Sequence, residues 1–216
     1  MSLAGISSMA VRRVLADLAR GYAESVVVES VGGVDAEKRV AQGERFDFVV
    51  LAADAIERLA SGGHVTTHVA IARSAIAVAV PAGAAHPDLS TSQGLRAALA
   101  SARAVGCSTG PSGRHLARLL ERWNIATPVV EAAPGVPVAT LLASGQADLG
   151  FQQRSELVDC AGIDIVGPLP ADVQLVTTFA GAACAASRQV EAARRFLAYC
   201  ASPAAAGVKL RHGMEA

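Results

Sequence analysis

Two short polar turns hold most of the residues in this 216-residue chain that could bind a small charged molecule. Ser7 and Ser8 follow an apolar stretch near the N-terminus and read as a helix-capping turn, and a second turn runs from Ser108 to Gly113. Hydroxyl groups, together with the free N–H groups of a turn that opens a helix, are donors suited to an anion. We therefore predict anion or carboxylate binding at both turns. The second turn is not a P-loop, because the lysine of that motif is missing.

Other polar side chains lie close to these turns in the sequence. Arg114 follows the second turn, and its guanidinium either binds a carboxylate in a bidentate manner or occupies a solvated helix position. Gln152 and Gln153 come just after an apolar strand-like stretch, and this pair of amides predicts a ligand contact by one of them. Arg73 interrupts an apolar run, either as a cation at the site or on the solvent face of a strand.

The sequence indicates neither a metal site nor a cofactor. The histidines lack metal-ligand spacing, and the cysteines form no C-x-x-C pair, so we expect buried free thiols. Asp47 and Asp148 begin predicted strands at equivalent places, and we expect capping and turn hydrogen bonds from them. The histidines and cysteines are His64, His68, His86, His115, His212, Cys107, Cys160, Cys184 and Cys200.

Composition excludes several classes of partner. Lys plus Arg and Asp plus Glu number 19 each, so the net charge is zero and a field suited to nucleic acid or an anionic membrane is not expected. Aromatic residues make up 4%, too few for stacking platforms. No apolar run approaches the ~20 residues of a membrane span. We expect a small, polar ligand, no nucleic acid and no membrane insertion.

One pattern of elements occurs twice along the chain, in each case strand, helix, strand, helix, strand. The two copies share a short motif, which is Gly-x-x-Phe-Asp from Gly43 in the first copy and Gly-x-x-Asp from Gly145 in the second. Alternating strands and helices favour parallel sheets, in which ligands bind beyond the carboxyl ends of the strands. The predicted strands are 3–6, 26–28 and 46–51 in the first copy and 104–107, 128–131 and 147–151 in the second.

The long β-type runs 67–80 and 174–184 follow the two copies, and we predict that each crosses from one lobe to the other. We therefore predict an α/β protein with two lobes, one comprising residues 1–80 with 178–216 and the other residues 81–177. Each lobe is expected to be a mainly parallel sheet flanked by helices, with the ligand cleft between them. Two crossing segments permit hinge closure around a ligand.

Short phrases spread over essentially the whole chain carry a resemblance to a known family. These phrases are Ile6-Ser7-Ser8, Val31-Gly32-Gly33, Phe48–Asp54, Val78–Pro81, Ser144–Asp148, Ala192–Leu197 and Ser202–Ala206. In this order they resemble the type II periplasmic binding proteins, and most closely the molybdate-binding proteins of ABC transporters. The resemblance implies a tetrahedral oxyanion held by serine hydroxyls and backbone N–H groups.

The resemblance also assigns positions within the site. Ser7 or Ser8 matches the first serine of the family, and the turn at Val136 matches a backbone donor. The chain departs from the family at Val34, where a second serine is common, and at Gln152, near the usual tyrosine. The predicted ligand-binding residues are Ser7, Ser8, Gly33, Val34, Ser108, Thr109, Gly110, Ser112, Gly113, Arg114, Val136, Gln152 and Gln153.

The leading hypothesis is a solute-binding protein that clamps a small anion between two lobes for ABC-type transport or sensing. Its expected partners are molybdate, tungstate, another oxyanion or a small carboxylate, and an ABC transporter permease. The family implies the periplasm, whereas the lack of a leader ahead of Leu3 favours the cytoplasm to a comparable degree.

Two other functions stay open. The first is an isomerase of a small di- or tricarboxylate, since proteins that resemble molybdate-binding proteins include such enzymes. Arg114 and Gln152 would suit several carboxylates, but the base is not evident, and activation of a serine by His115 rests on spacing alone. The second is a regulatory sensor domain, because the ligand-binding halves of LysR-type regulators share the fold.

Overall fold

The computed structural model describes residues 2–133 and 135–216, and the chain divides into two compact units. Unit 1 extends from the N-terminus to Ser74 and resumes at Thr177–Ala216, whereas unit 2 is the continuous stretch Ala75–Val176. The predicted lobe boundaries, after residues 80 and 177, are close to these divisions in sequence. The first division falls inside one long strand, so the chain passes from unit 1 to unit 2 without a loop.

Helices and strands alternate along most of the chain. Unit 1 begins with β1 (Leu3–Ser8), a 3-10 turn (Met9–Val11), α1 (Arg12–Arg20), β2 (Val26–Val31), α2 (Gly33–Ala41), β3 (Phe48–Ala52), α3 (Ala53–Ser61) and the first part of β4 (Val65–Pro81). Unit 2 contains the rest of β4, then α4 (Ser92–Ser101), β5 (Val105–Cys107), α5 (Pro111–Trp123), β6 (Val129–Glu131), α6 (Val138–Ala143), β7 (Leu149–Gln153), α7 (Arg154–Leu157) and β8 (Ile163–Pro168). The chain returns to unit 1 with β9 (Val176–Cys184), α8 (Val190–Ala201), a 3-10 turn (Pro203–Ala205) and α9 (Ala206–Arg211).

The strands of each unit form a mainly parallel arrangement. In unit 1 the order is β2-β1-β3-β9-β4; β1 is parallel to β2 and β3, and β9 is antiparallel to β3. In unit 2, β5 is parallel to β6 and β7, and β4 is antiparallel to both β7 and β8. The predicted α/β class is confirmed. The carboxyl ends of β1, β2 and β3 therefore share one edge, as do those of β5, β6 and β7.

Each unit buries apolar side chains on both faces of its sheet. In unit 1, α1 and α8 cover one face with a core that includes Phe48 and Phe196, and α2 and α3 cover the other around Ile6 and Ile56. In unit 2, α4 and α5 pack over Val105 and Phe151, and α6 packs over the small residues of the opposite face. Helices on both faces are what a parallel sheet requires.

The two copies of the repeat share the hydrogen bonds that start the third strand. Asp47 accepts a hydrogen bond from the Ala4 N–H at 2.9 Å, and Asp148 accepts one from the Arg103 N–H at 2.8 Å. The expected capping and turn hydrogen bonds are therefore not what these two side chains make: each binds the backbone at or beside the first strand of its own copy. Gly43 and Gly145 precede them with φ of 80° and 71°, a conformation that favours glycine.

One sequence-based expectation about the elements needs correction, and the sequence pattern missed two elements. The helix-capping turn at Ser7 and Ser8 is wrong, because β1 continues through both residues and the Ser8 side chain makes no cap hydrogen bond. Helix α4 and strand β8 are present, although the sequence pattern does not indicate them. In the part of the chain that the structure describes, no helix is both long and apolar enough to span a membrane.

Candidate functional site

Ser7 and Ser8 occupy different environments at the carboxyl end of β1. Successive strand residues point to opposite faces, so the two hydroxyl groups cannot share one position. The Ser7 hydroxyl lies on the α1 side, 2.9 Å from Ser30 Oγ on β2, and it donates to the Ser8 carbonyl at 3.3 Å. Ser7 is thus fully buried and bonded within unit 1.

The Ser8 hydroxyl is buried, and it has no hydrogen-bond partner among the described residues. Ser8 is only 8% exposed, so water does not readily replace the missing partner. A buried hydroxyl without a partner costs about 1–3 kcal/mol of desolvation, and native structures keep few of them. This atom therefore points to a ligand.

The start of helix α2 lies beside Ser8. A Cβ atom placed on Gly33 would be 3.6 Å from Ser8 Cβ, and the first hydrogen bond within the helix is from the Ala36 N–H to the Gly32 carbonyl. The N–H groups of Gly33 and Val34 precede that bond and point along the helix axis, where the helix dipole favours an anion. We call Ser8 Oγ with these two N–H groups the Ser8 seat.

Ion pairs hold helix α2 in place. Arg39 binds Glu29 on β2 at 2.6 Å, and Arg58 on α3 binds Glu37 at 2.7 Å. These pairs connect α2 to β2 on one side and to α3 on the other. The side chain of Val34 faces solvent at the start of this helix, with 60% exposure.

In unit 2, Ser108–Gly110 join β5 to α5, and the remainder of the predicted turn, Pro111–Gly113, is the first turn of the helix. Gly110 is the N-cap of α5 and Pro111 its first residue, and Ser108 Oγ is 3.5 Å from the buried Ser112 Oγ. The first helical hydrogen bond is from the Arg114 N–H to the Gly110 carbonyl, so the Ser112 and Gly113 N–H groups precede it.

The remaining residues of this turn have different roles. Thr109 and Arg114 are exposed, and the Arg114 carbonyl accepts a hydrogen bond from Arg118. Gly113 is required by packing, because a Cβ there would lie 1.8 Å from the Ser108 carbonyl oxygen. His115 Nε2 lies 2.7 Å from the Val173 carbonyl and must be its donor, so this nitrogen is not the base for a serine.

The two glutamines at the end of β7 point to opposite faces of the sheet. The Gln152 amide accepts from the Val138 N–H at 3.3 Å and donates to Glu156 at 2.9 Å. Gln152 is 1% exposed, so its amide connects α6 to α7 within unit 2, a role that the sequence did not indicate. Gln153 is also buried, on the same face of β7 as Phe151.

The predicted backbone donor in the loop before α6 is already engaged. The Val136 N–H donates to the Ala133 carbonyl at 2.9 Å, in a turn where Gly135 has φ of 79°. Any ligand contact at Val136 is therefore limited to its side chain, which is 38% exposed. Pro134, in the same loop, lies outside the described residues.

Two other predicted groups lie away from these turns. Arg73 is exposed and pairs with Glu215 at 2.9 Å, so it belongs to the solvent face of a strand and is not a cation of the site. His212 Nε2 lies 2.8 Å from Asp17, and this hydrogen bond is the main reason that the pKa of Asp17 is below its ordinary value. Among residues 2–133 and 135–216, no group of His, Cys, Asp and Glu side chains could hold a metal ion.

The cysteines are free thiols. Cys107, Cys184 and Cys200 are buried as expected, whereas Cys160 is half-buried. Burial raises the pKa of Cys107 to about 11 and that of Cys184 and Cys200 to about 12. These three side chains are therefore protonated at neutral pH and are poor nucleophiles.

Residues 4–215 match the family described as bacterial extracellular solute-binding protein. The chain belongs to this family. The match includes both units and every predicted ligand-binding residue. An aconitate isomerase from Pseudomonas sp is 38% identical to this chain over 174 residues. The matched residues are 78% of this chain, and they span 66% of that relative's length.

Solved structures of solute-binding proteins have the same fold. A periplasmic molybdate-binding protein from Azotobacter vinelandii matches with a TM-score of 0.78 at 21% identity, over 99% of both chains. The tungstate ABC transporter structure from Geobacter sulfurreducens matches with a TM-score of 0.72 at 16% identity, over 96% of this chain and 97% of the other. The predicted type II periplasmic-binding-protein fold is confirmed.

Proposed function

We propose that this solute-binding protein binds a small anion at the Ser8 seat of unit 1; the Ser108–Gly113 turn of unit 2 offers donors of the same kind. The observation that carries the proposal is the buried Ser8 hydroxyl, which has no partner among the described residues and lies beside the N-terminus of α2. Neutral donors of this kind stabilise an anion without a salt bridge. The zero net charge of the chain agrees with recognition by local donors.

The proposal includes transport or sensing as the purpose of binding. Membership of the solute-binding family supports delivery of the anion to an ABC-type permease, as does the fold shared with the tungstate ABC transporter structure. The ligand candidates are molybdate, tungstate, another oxyanion or a small carboxylate.

A thermal-unfolding screen tests the binding function. The purified protein is heated with molybdate, tungstate, sulfate, phosphate and a panel of di- and tricarboxylates, each at millimolar concentration. An anion at a hundred times its Kd stabilises the protein by about 2.7 kcal/mol, which gives a clear rise in Tm. The proposal is overturned when none of these anions raises the Tm.

Two neighbouring serines provide matched variants for this screen. We expect Ser8→Ala to remove the ligand-induced rise in Tm, since it deletes the hydroxyl donor of the Ser8 seat. Ser7→Ala deletes a hydroxyl that is bonded to Ser30, and we expect it to keep binding within a few-fold. Equal losses in both variants would contradict the assignment of Ser8.

The second candidate is an isomerase that moves a double bond in a small di- or tricarboxylate. The observation that favours it is the 38% identity to an aconitate isomerase. Such a reaction removes a proton from a carbon next to a carboxylate, so it needs a base. Glu156, which accepts a hydrogen bond from the buried Gln152 amide, is the candidate base of unit 2.

Exchange of ligand protons with heavy water distinguishes an isomerase from a binding protein. An isomerase incorporates deuterium into a bound tricarboxylate in heavy water and interconverts its double-bond isomers, whereas a binding protein returns the ligand unchanged. Glu156→Gln keeps the hydrogen-bonding shape but cannot take a proton, so it should lower the exchange rate at least about a hundredfold. Exchange that persists in this variant would eliminate Glu156 as the base.

A further inference from the structure

Val34 places an apolar side chain at the Ser8 seat. It is the second residue of α2 and is 60% exposed, although its own N–H is one of the donors of the seat. Side chains in a helix lean toward the N-terminal end, so Val34 leans toward the end at which an anion would bind. A ligand held by the Ser8 seat therefore has this side chain beside it.

The second copy of the repeat has a similar feature. Val136 lies in the loop between β6 and α6, the same loop of the repeat that holds Gly32 between β2 and α2. It is 38% exposed, and its N–H is used inside the turn, so the side chain is what it offers to a ligand. Both repeats thus expose a valine at the edge that carries the predicted donors.

An exposed valine beside anion donors discriminates between two kinds of anion. A bare tetrahedral oxyanion is polar over its whole surface, so any oxygen against the valine loses water and gains no donor. An organic carboxylate can place its charged group on the N–H donors and its hydrocarbon against the valine, which removes apolar surface from water. The valine therefore penalises the first kind and favours the second.

We infer that Val34 is a specificity-determining residue, which makes the Ser8 seat select a small carboxylate on a hydrocarbon skeleton over a bare oxyanion. This inference rests on the proposed anion-binding function. It assigns Val34 a role separate from that of Ser8, which binds the charged group in either case.

Replacement of valine by threonine tests the inference with little change of shape. Val34→Thr exchanges a methyl group for a hydroxyl donor, and valine and threonine have similar helix propensities. We measure the Kd of molybdate, sulfate and propane-1,2,3-tricarboxylate by calorimetry for wild type and variant. The ratio of the tricarboxylate Kd to the Kd of each bare oxyanion should rise at least about tenfold, the discrimination that one apolar group provides.

Three controls keep the outcomes distinct. Val27→Thr alters a valine that is 63% exposed on the edge strand β2, outside the Ser8 seat, and should leave the ratio within about twofold of wild type. Val34→Ala should weaken tricarboxylate binding without improving oxyanion binding. Ser8→Ala should weaken both kinds of anion.

The inference is overturned when Val34→Thr changes the ratio less than about twofold, when Val27→Thr changes it equally, or when the wild type prefers a bare oxyanion. In each of these cases, a wild type that binds and a Ser8→Ala variant that does not would leave the proposed function standing. A wild type that binds none of the anions would overturn both.

Discussion

At the scale of single residues, the buried Ser8 hydroxyl lowers the stability of the ligand-free protein. This hydroxyl has no partner among the described residues, so the free chain loses the hydration of that group without compensation. We expect Ser8→Ala to raise the free energy of unfolding of the ligand-free protein by about 1 kcal/mol. Urea denaturation without added anions measures this change.

Ser8→Ala should also remove the stabilisation by bound ligand. It therefore raises the stability of the ligand-free protein and lowers that of the protein with ligand. Ser7→Ala is the control, because it breaks the hydrogen bond with Ser30 and should lower the free energy of unfolding. A Ser8→Ala protein that is less stable by as much as the Ser7→Ala protein would show that Ser8 has a structural partner.

The sequence could identify the two serines as candidates but could not separate them. The choice depends on where β1 ends, and the sequence predicts a strand over 3–6 that in fact continues to Ser8. A shift of two residues decides whether a serine lies in a turn or in a pleated strand with a fixed face. Gln152 shows the same limit, since only the fold reveals that its amide is used between Val138 and Glu156.

At the scale of elements, the turn into α5 depends on one glycine. A Cβ at Gly113 would lie 1.8 Å from the Ser108 carbonyl oxygen, which is backbone and cannot move without opening the turn. We expect Gly113→Ala to lower the free energy of unfolding by more than about 2 kcal/mol, as a steric conflict with backbone does. It should also weaken anion binding, because Ser108 and the first N–H groups of α5 shift together.

Gly110→Ala is the matched control for this turn. A Cβ at that position meets Ser108 Oγ at 3.7 Å, an ordinary contact, so its effect should stay near the ~1 kcal/mol of a poorer N-cap residue. Chemical denaturation of both variants makes the comparison. Equal effects at Gly110 and Gly113 would mean that the turn relaxes around the added methyl group.

Asp148, which directly precedes β7, gives the stability of the protein a pH dependence. Hydrogen bonds from the Arg103 side chain and backbone hold the pKa of Asp148 below its ordinary value. A lowered pKa means that the folded state favours the ionised carboxylate, so this contribution is present at neutral pH and is lost as the pH falls below about 4.

Asp148→Asn isolates this contribution. The difference in free energy of unfolding between wild type and Asp148→Asn should be constant between about pH 5 and 7 and should shrink as the pH falls below about 4. Denaturation curves at several pH values measure it. A difference that grows on acidification would contradict a lowered pKa for Asp148 in the folded state.

Element prediction succeeded where periodicity and turn residues agreed. The alternating strands and helices of both copies could be predicted because glycines such as Gly43 and Gly145 end helices just before buried strands. Strand β8 has half-buried residues throughout most of its length, so it lacks the alternation that identifies a strand. Helix α4 has Gly94 in its first turn, a poor helix former that weakens the sequence signal for its start.

At the scale of the whole molecule, the repeat accounts for most of what could be predicted. Two copies of one pattern imply two sheets, and runs of β-type residues after each copy imply that the chain crosses between the units. What the sequence could not supply is the ligand, because one fold can serve many different ligands. In the proposed site, the ligand depends on a few side chains such as Ser8 and Val34.

The order of the chain also predicts how the two units fold. Unit 2, Ala75–Val176, is continuous, has a typical domain size and covers both faces of its sheet with its own helices. Unit 1 needs β9, which pairs with β3, and α8, which packs on Phe48, and both come from the C-terminal stretch.

We therefore expect the fragment 75–176 to fold alone and the fragment 1–74 to remain unfolded. Amide chemical-shift dispersion and cooperative thermal unfolding distinguish the two states. A chimera that joins 1–74 to 177–216 through a flexible linker supplies the missing strand and helix, so it should recover cooperative unfolding. A folded 1–74 fragment would show that β9 and α8 are not needed for this part of the chain to fold, and an unfolded 75–176 fragment would show that unit 2 depends on the rest of the chain.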